Sequence, residues 1–479
     1  MKLSVKEKAS YGLGAVGKDM VYMLSASYVL YYFQDIMGVS AVAMGIILLI
    51  ARIFDAFNDP IMGVIVAKTQ TKWGKFRPWL MIGTITNSVL LFLMFAAPVS
   101  FSPQALVAYA AVTYIMWGVT YTMMDIPYWS MIPAFTESGK EREGLTTLAR
   151  SAAGVGSALI LIFTMKLVYF FGGMGDANAS NHTIEVNGFK WLALVVAILF
   201  ILFITITCIN IKEKSTVDMK TPSVGEMFKA LVTNDQAMTI VIAIVLINCA
   251  VYITSNLVIY FFKYDFGGTN WYDSYTLFNT FGGGIQILAM MLFFPALRKF
   301  FNTIKMFYIC IGSALLGYAA LLAITIIGIG NVYILFVPGF FIFAANGMLQ
   351  VLTTIFLANT VEYGELKNNR RDESVIFSMQ TFVVKLASGV AAFVAAISLA
   401  VFKLSDKAST TAEQKIDFSK AVDDGTKMGL RMIMTLLPII GLFVAMYFFK
   451  KKYILTDEKI KEISDEIKAR KSGGESAYD

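Results

Sequence analysis

The chain has 479 residues, of which 57% are hydrophobic and only 15% charged, with a formal net charge of +7. A soluble globular chain carries about 25% charged residues and a smaller apolar share. The basic excess therefore belongs to the loops of a membrane protein, where it sets topology, and no nucleic-acid partner is implied. One histidine and three cysteines, Cys208, Cys249 and Cys310, at unrelated spacings in apolar runs supply neither a metal cluster nor a disulfide framework.

The opening MKLSVKEKAS is polar and runs into a full-length apolar segment, so no cleavable signal peptide is expected. Runs long enough to cross a bilayer as helices are predicted at about 10–37, 40–67, 77–99, 103–135, 145–171, 189–211, 237–263, 271–297, 304–328, 331–358, 374–402 and 427–449. The expected fold is an all-α membrane protein of twelve transmembrane helices. It divides into an N-terminal six-helix bundle (1–211), a central cytoplasmic loop (212–236), a C-terminal six-helix bundle (237–449) and a cytoplasmic tail (450–479). Two equal halves joined by a polar loop is the layout of a rocking-bundle secondary transporter. The tail stretch DEKIKEISDEIKAR suits a short surface helix, followed by a disordered SGGESAYD.

Loop charges alternate along this order. Lys2, Lys6 and Lys8 precede the first span, and Lys68, Lys72, Lys75 and Arg77 follow the second. Lys140 and Arg142 follow the fourth, Lys212, Lys214, Lys220 and Lys229 the sixth, Arg298, Lys299 and Lys305 the eighth, and Lys367, Arg370 and Arg371 the tenth. The loops at 36–40, 98–104 and 328–332 have no Lys or Arg, and in the loop at 403–426 acids such as Asp406, Glu413 and Asp417 offset the lysines. The positive-inside bias places both termini in the cytoplasm.

Charges inside the spans are the candidates for function, because they are expensive at bilayer depth. In the first span stand Lys18 and Asp19. In the second, Arg52, Asp55 and Asp59 share one helical face, with Asn58 one turn from Asp55. Two carboxylates one turn apart beside an amide oxygen suit a hard cation or, alternatively, a proton. The competing reading is an ion-pair network with Arg52 that only locks helices. In the fourth span Tyr121, Asp125 and Trp129 recur every four residues, and Thr122 can lend a hydroxyl to the cation. A carboxylate beside an indole suits a sugar, one binding hydroxyls and the other a C–H face, whereas packing or interfacial anchoring is the alternative for Tyr128 and Trp129 alone. Arg150 and Lys385 can neutralise the acids around one cavity, while Asp35 and Lys166 lie near span ends and are expected to snorkel. Gly63, Gly74 and Arg77 form a loop motif in which Arg77 can pair with an acid or a helix C-terminus. His182 reads as bystander surface in an outer loop. No phosphate-binding GxxxxGK[ST] segment is present for ATP-driven pumping.

With these residues laid out, the chain resembles the melibiose-permease-like glycoside–pentoside–hexuronide:cation symporters, a branch of the major facilitator superfamily. The resemblance covers nearly the whole chain and is densest in SYGLGAVGKD, ARIFDAFNDPIMG, WGKFRPW, TYTMMDIPYWS, KERE, NTVEYGELKNNRRDES and MQTFVVK. It implies a cation site at Asp55, Asn58, Asp59 and Thr122. It also implies a sugar site at Lys18, Asp19, Asp125, Trp129, Arg150, Gln380 and Thr381, with Lys385 near both. Departures are Asn359 in place of an aspartate, Gln350 in place of a sugar-site tryptophan, and Ser151 and Ala152 in place of paired phenylalanines. The implied activity is symport of a glycoside or related sugar with Na+ or H+, Li+ being a further candidate. A uniporter or exchanger of a hexuronide or pentoside is the alternative. No cofactor is implied, no enzyme chemistry is visible, and a monomer in the plasma membrane is expected.

Overall fold

The computed structural model describes residues 3–132, 139–175, 179–212, 224–328, 330–368, 373–404 and 417–475. Among the described residues there are fourteen α-helices of ten residues or more, one short α-helix at Phe294–Arg298, and no strand. The fourteen are α1 (Val5–Tyr31), α2 (Ala41–Lys68), α3 (Arg77–Met94), α4 (Pro103–Ser130), α5 (Gly139–Gly173), α6 (Asn181–Asn210), α7 (Val224–Thr233), α8 (Asp235–Tyr260), α9 (Trp271–Leu288), α10 (Thr303–Ile327), α11 (Val332–Asn368), α12 (Glu373–Val401), α13 (Asp424–Lys452) and α14 (Asp457–Glu475). Among the described residues, eleven helices are long and apolar enough to cross a membrane. Helix α1, 27 residues long, is too polar to be among them, with Lys18 and Asp19 at its middle.

Helix starts follow capping chemistry. Ser4 and Glu7 close a capping box at α1. Ser102 caps α4 ahead of Pro103, and Asn302 caps α10. Ser180 caps α6, which consequently begins well before the expected position 189. Helix α11 runs on past 358 through the polar EYGELKN. Within the expected central loop, residues 224–233 form α7. The tail forms α14, which continues through Gly473 and Gly474 to Glu475, beyond the expected surface helix. Lys2, Lys214, Lys220, Arg370, Arg371, Asp406, Glu413 and the turn at 369–372 lie outside the described residues, as do the side chains of Lys140 and Arg142.

Two helix ends depart from α geometry in the same way. Tyr32–Ile36 continues α1 as a π-helical turn closed by Met37 N–H on Tyr32 O at 2.9 Å. Phe261–Phe266 continues α8 likewise, closed by Gly267 N–H on Phe262 O at 3.0 Å. Both turns are aromatic and carry one deeply buried charge, Asp35 and Lys263 respectively. A third π turn, Ala289–Phe293, extends α9.

The chain divides into two compact units. The first comprises Met1–Thr221, Ile259–Thr280 and Ala392–Lys427, and the second Pro222–Val258, Phe281–Ala391 and Met428–Asp479. In the first, α1 packs on α5 and α6, α3 on α4 and α6, and α2 on α4. In the second, α11 packs on α10 and α14.

Candidate functional site

Helix α2 brings Asp55 and Asp59 against α4 in matching register, one helical turn apart on each side. The Thr122 hydroxyl donates to Asp59 Oδ1 at 2.9 Å. One turn earlier on α4 is Gly118, where a Cβ would stand only 2.9 Å from Asp55 Oδ1. Any larger residue there would push the carboxylate aside. Asp55 Oδ2 pairs with Arg52 Nη1 at 3.0 Å, and Arg52 Nη2 donates to the Tyr114 hydroxyl at 2.9 Å. Arg52 and Asp55 are both buried. The Arg52 network therefore exists, yet it engages Oδ2 while Oδ1 faces the gap at Gly118. Asn58 is half-buried and its Nδ2 has no hydrogen-bond partner. A half-turn of that amide puts its carbonyl oxygen in the same place. Two carboxylates, a hydroxyl and an amide make an oxygen-only donor set suited to a hard monovalent cation. Among the described residues no three His, Cys, Asp or Glu side chains form a metal-binding group.

The next face of α4 meets α1. Lys18 Nζ lies 2.8 Å from Asp125 Oδ1, 3.0 Å from Asp19 Oδ2 and 3.1 Å from the Tyr121 hydroxyl. Trp129 Nε1 donates to Asp125 Oδ1 at 3.1 Å. The Lys18 side chain is 5% exposed, against 19% for Asp19 and 21% for Asp125, so the ammonium is sealed in while carboxylate edges reach solvent. The exposed Arg150 lays its guanidinium over the Trp129 ring, 4.1 Å from the centroid. The indole face suited to a sugar C–H face thus carries a cation–π partner here. Two acids and two bases give this group a formal charge of zero, which suits a neutral polyol. Pro127, between Asp125 and Trp129, removes one backbone hydrogen bond from α4 at this point. Tyr11 and Tyr128 stack at 4.4 Å, and each hydroxyl donates to the other residue's carbonyl, pinning α1 to α4.

Gly63 is buried within α2, and Gly74 occupies the α2–α3 turn with φ of 100°, a left-handed conformation that favours glycine. Arg77 Nη1 donates to Cys208 O at 3.4 Å, in the last turn of α6, where carbonyls lack intrahelical partners. Gln380, Thr381 and Lys385 lie on α12 in the second unit, the last two one turn apart on one face. Gln380 and Lys385 are half-buried and Thr381 is exposed. His182 is exposed and contacts Ile36 O at 3.0 Å, and all three cysteines are free.

One expectation needs correction. Asp35 does not snorkel: it is buried and paired with Lys263 at 2.7 Å. Its short side chain reaches a protein cation more readily than a headgroup layer. Lys166, half-exposed, pairs with Asp273 at 3.4 Å. Glu185 and Lys263, which complete the Asp35 cluster, were not singled out from the sequence. The signal was available, since YYFQD and YFFKYD both set a charge in an aromatic run at a span end.

Residues 10–456 match the family model described as MFS/sugar transport protein. The chain is 28% identical to the lactose permease of Lactobacillus delbrueckii subsp. bulgaricus, over 98% of this chain and 73% of that one. It is 27% identical to the raffinose carrier protein of Pediococcus pentosaceus (95% and 70% covered). A protein of Escherichia coli (strain K12) provisionally named glycoside/cation symporter YagG is 26% identical (100% and 98%). Among solved structures, an inward-facing bacterial homolog of the human lysosomal transporter Spinster superposes with TM-score 0.67 at 13% identity, covering 96% and 97%. A D-xylose-proton symporter superposes with TM-score 0.61 at 15% identity, covering 93% and 97%. These last two likenesses establish the twelve-helix major facilitator fold.

Proposed function

The chain belongs to the MFS/sugar transport protein family of multi-pass plasma-membrane transporters, and from that membership and the site geometry we propose that it carries out cation-coupled symport of a glycoside or related sugar. Relatives named for lactose, raffinose and glycoside/cation transport support this reading. The observation that carries it is the double use of α4. Gly118 and Thr122 face the acids of α2, while Tyr121, Asp125 and Trp129 face Lys18 on α1.

The proposed cation site is Asp55, Asn58, Asp59 and Thr122, filled by Na+, Li+ or H+. The proposed sugar site of the first unit is Lys18, Asp19, Tyr121, Asp125, Trp129 and Arg150; Gln380, Thr381 and Lys385 on α12 are proposed as sugar-binding residues from the family resemblance alone. Gly63, Gly74 and Arg77 are assigned to a gating loop motif between α2 and α3. A cation at Asp55 and Asp59 neutralises charge that would oppose closure. It also draws Thr122, and with it the turn of α4 bearing Asp125, toward α2. Sugar hydroxyls then take the exposed edges of Asp19 and Asp125, and the sugar displaces Arg150 from the indole face. Because both ligands set the position of one helix, each raises the affinity for the other by the same factor. The protein works as a monomer with both termini cytoplasmic, as the loop charges favour.

The test is uptake by Asp59→Cys in intact cells against a glycoside panel, with and without Na+ and at several pH values. Loss of uphill accumulation with retained sugar exchange is the expected result. Unchanged uphill accumulation would refute the assignment of Asp59.

A further inference from the structure

We propose that Lys263, Asp35 and Glu185 form a releasable ionic latch that closes the outer face of the transporter, and that they belong to the functional residues of the transport cycle. The inference rests on the topology adopted above for naming that face the outer one. The contacts themselves lie entirely within the first compact unit.

Helices α8 and α9 begin or continue in the second unit, yet Ile259–Thr280, the hairpin that joins them, groups with the first. Its central tie to α1 and α6 is Lys263, whose side chain is only 3% exposed. The ammonium has three donors, and three oxygens meet it: Asp35 Oδ2 at 2.7 Å, the Tyr31 hydroxyl at 2.8 Å and Glu185 Oε2 at 3.5 Å. Both carboxylates are satisfied in turn. Tyr264 donates to Asp35 at 2.6 Å, and Tyr31 and Tyr169 donate to Glu185 at 3.0 and 2.9 Å. The Phe418 ring covers the ammonium at 4.6 Å. Phe418 is held in place by its neighbour Asp417, which accepts from Gly268 N–H at 2.8 Å and from the Ser419 hydroxyl at 2.7 Å. Burial pushes the Asp417 carboxyl up, but those donors outweigh it and leave it below its ordinary value.

The chemistry suits a closure that must reopen. A buried ion pair gains Coulomb energy but forfeits hydration, so an intact pair lies close in free energy to its separated, solvated parts. An apolar seal of the same area would favour closure one-sidedly. Removing one partner is different, because the others stay buried and uncompensated. Charge deletion should therefore open the latch, whereas replacing every charge with apolar groups should hold it shut. A cluster that only supports the fold would move labelling in the same two directions, so the discriminating readout is sugar uptake, which the triple variant slows only if the cluster must open in every cycle.

The reporter is Gln34→Cys, in a chain whose Cys208, Cys249 and Cys310 are alanine. Gln34 adjoins Asp35 and is fully buried, with neither amide atom hydrogen-bonded. Intact cells are labelled from outside with a membrane-impermeant maleimide. Lys263→Met should label about tenfold faster than the parent. The triple variant Asp35→Leu, Glu185→Met, Lys263→Met should label severalfold more slowly and take up sugar more slowly, while remaining monodisperse after purification. Equal labelling, within about twofold, in all three chains overturns the proposal. So does a triple variant that labels faster than the parent. Should Lys263→Met fail to fold, Tyr264→Phe decides: it removes one donor to Asp35 and keeps the ring, and unchanged labelling there overturns the latch as well. Labelling requires neither sugar nor cation, so its failure is distinguishable from failure of the symport reading.

Discussion

Gly118→Ala tests the cation site at the atom where it is tightest. The added methyl would sit 2.9 Å from Asp55 Oδ1, and ordinary contact begins near 3.4 Å. The carboxylate must retreat by about half an ångström, and Arg52 holds its other oxygen at 3.0 Å. Such crowding costs about 1–3 kcal/mol, while alanine in a helix interior returns ~1 kcal/mol relative to glycine. Stability without cation should consequently fall by about 0–2 kcal/mol. Cation affinity should fall by the displacement of one ligand oxygen, about 1–2 kcal/mol, or roughly 5- to 30-fold. The assay is thermal melting of the purified protein, titrated with Na+ and Li+ at constant ionic strength with choline, and separately across pH. Ligand binding shifts the melting temperature by mass action, so the midpoint of the shift reports affinity. A variant that melts like the parent without cation and shows the same cation midpoint would refute the placement of Asp55 in the site.

Two further outcomes are expected. Trp129→Phe keeps an aromatic face for Arg150 but removes the Nε1–H donor to Asp125. Sugar affinity by calorimetry should weaken roughly tenfold, as for loss of a hydrogen bond to a charged group, with the cation midpoint unchanged. Asp457→Ala cuts the tether of α14, where Arg298 Nη2 and the Thr303 hydroxyl both meet Asp457 at 2.6 Å. That pair is about a third exposed, so melting should move little. Hydrogen exchange along α14 should rise, and a large drop in melting temperature would contradict a surface tether.

Much of this molecule can be read from residues alone because the bilayer makes exceptions conspicuous. Asp55, Asp59 and Asp125 interrupt apolar runs, and helical spacing assigns each to a face. What spacing does not supply is depth or partner. Gly118 looks like any small residue in a span until its neighbour is known, and no pattern in α4 says that a guanidinium covers Trp129. The Asp35 cluster escaped for another reason. Its members are separated by about 80 to 230 positions and sit at span ends, where lone charges are ordinary. Only the packing of α1, α6 and the 259–280 hairpin distinguishes a snorkelling acid from a buried one. Helix limits erred where capping, rather than hydropathy, decides them, as at Ser180.

The π-helical turns that end α1 and α8 give both helices slack. A π turn takes in one residue more than an α turn, and an α-helix rotates about 100° per residue. Rewinding either turn as α would return one residue to the adjoining loop and swing the residues beyond it by about that angle. Asp35 and Lys263 would then face away from each other with no helix bent and the adjoining loop longer by that one residue. The backbone cost is a hydrogen bond or two, exchanged between neighbouring carbonyls, and the larger cost is rehydration of the separated charges. These two helices can therefore change the side chains their ends present by winding alone, as a screw changes the heading of its slot without leaving its thread.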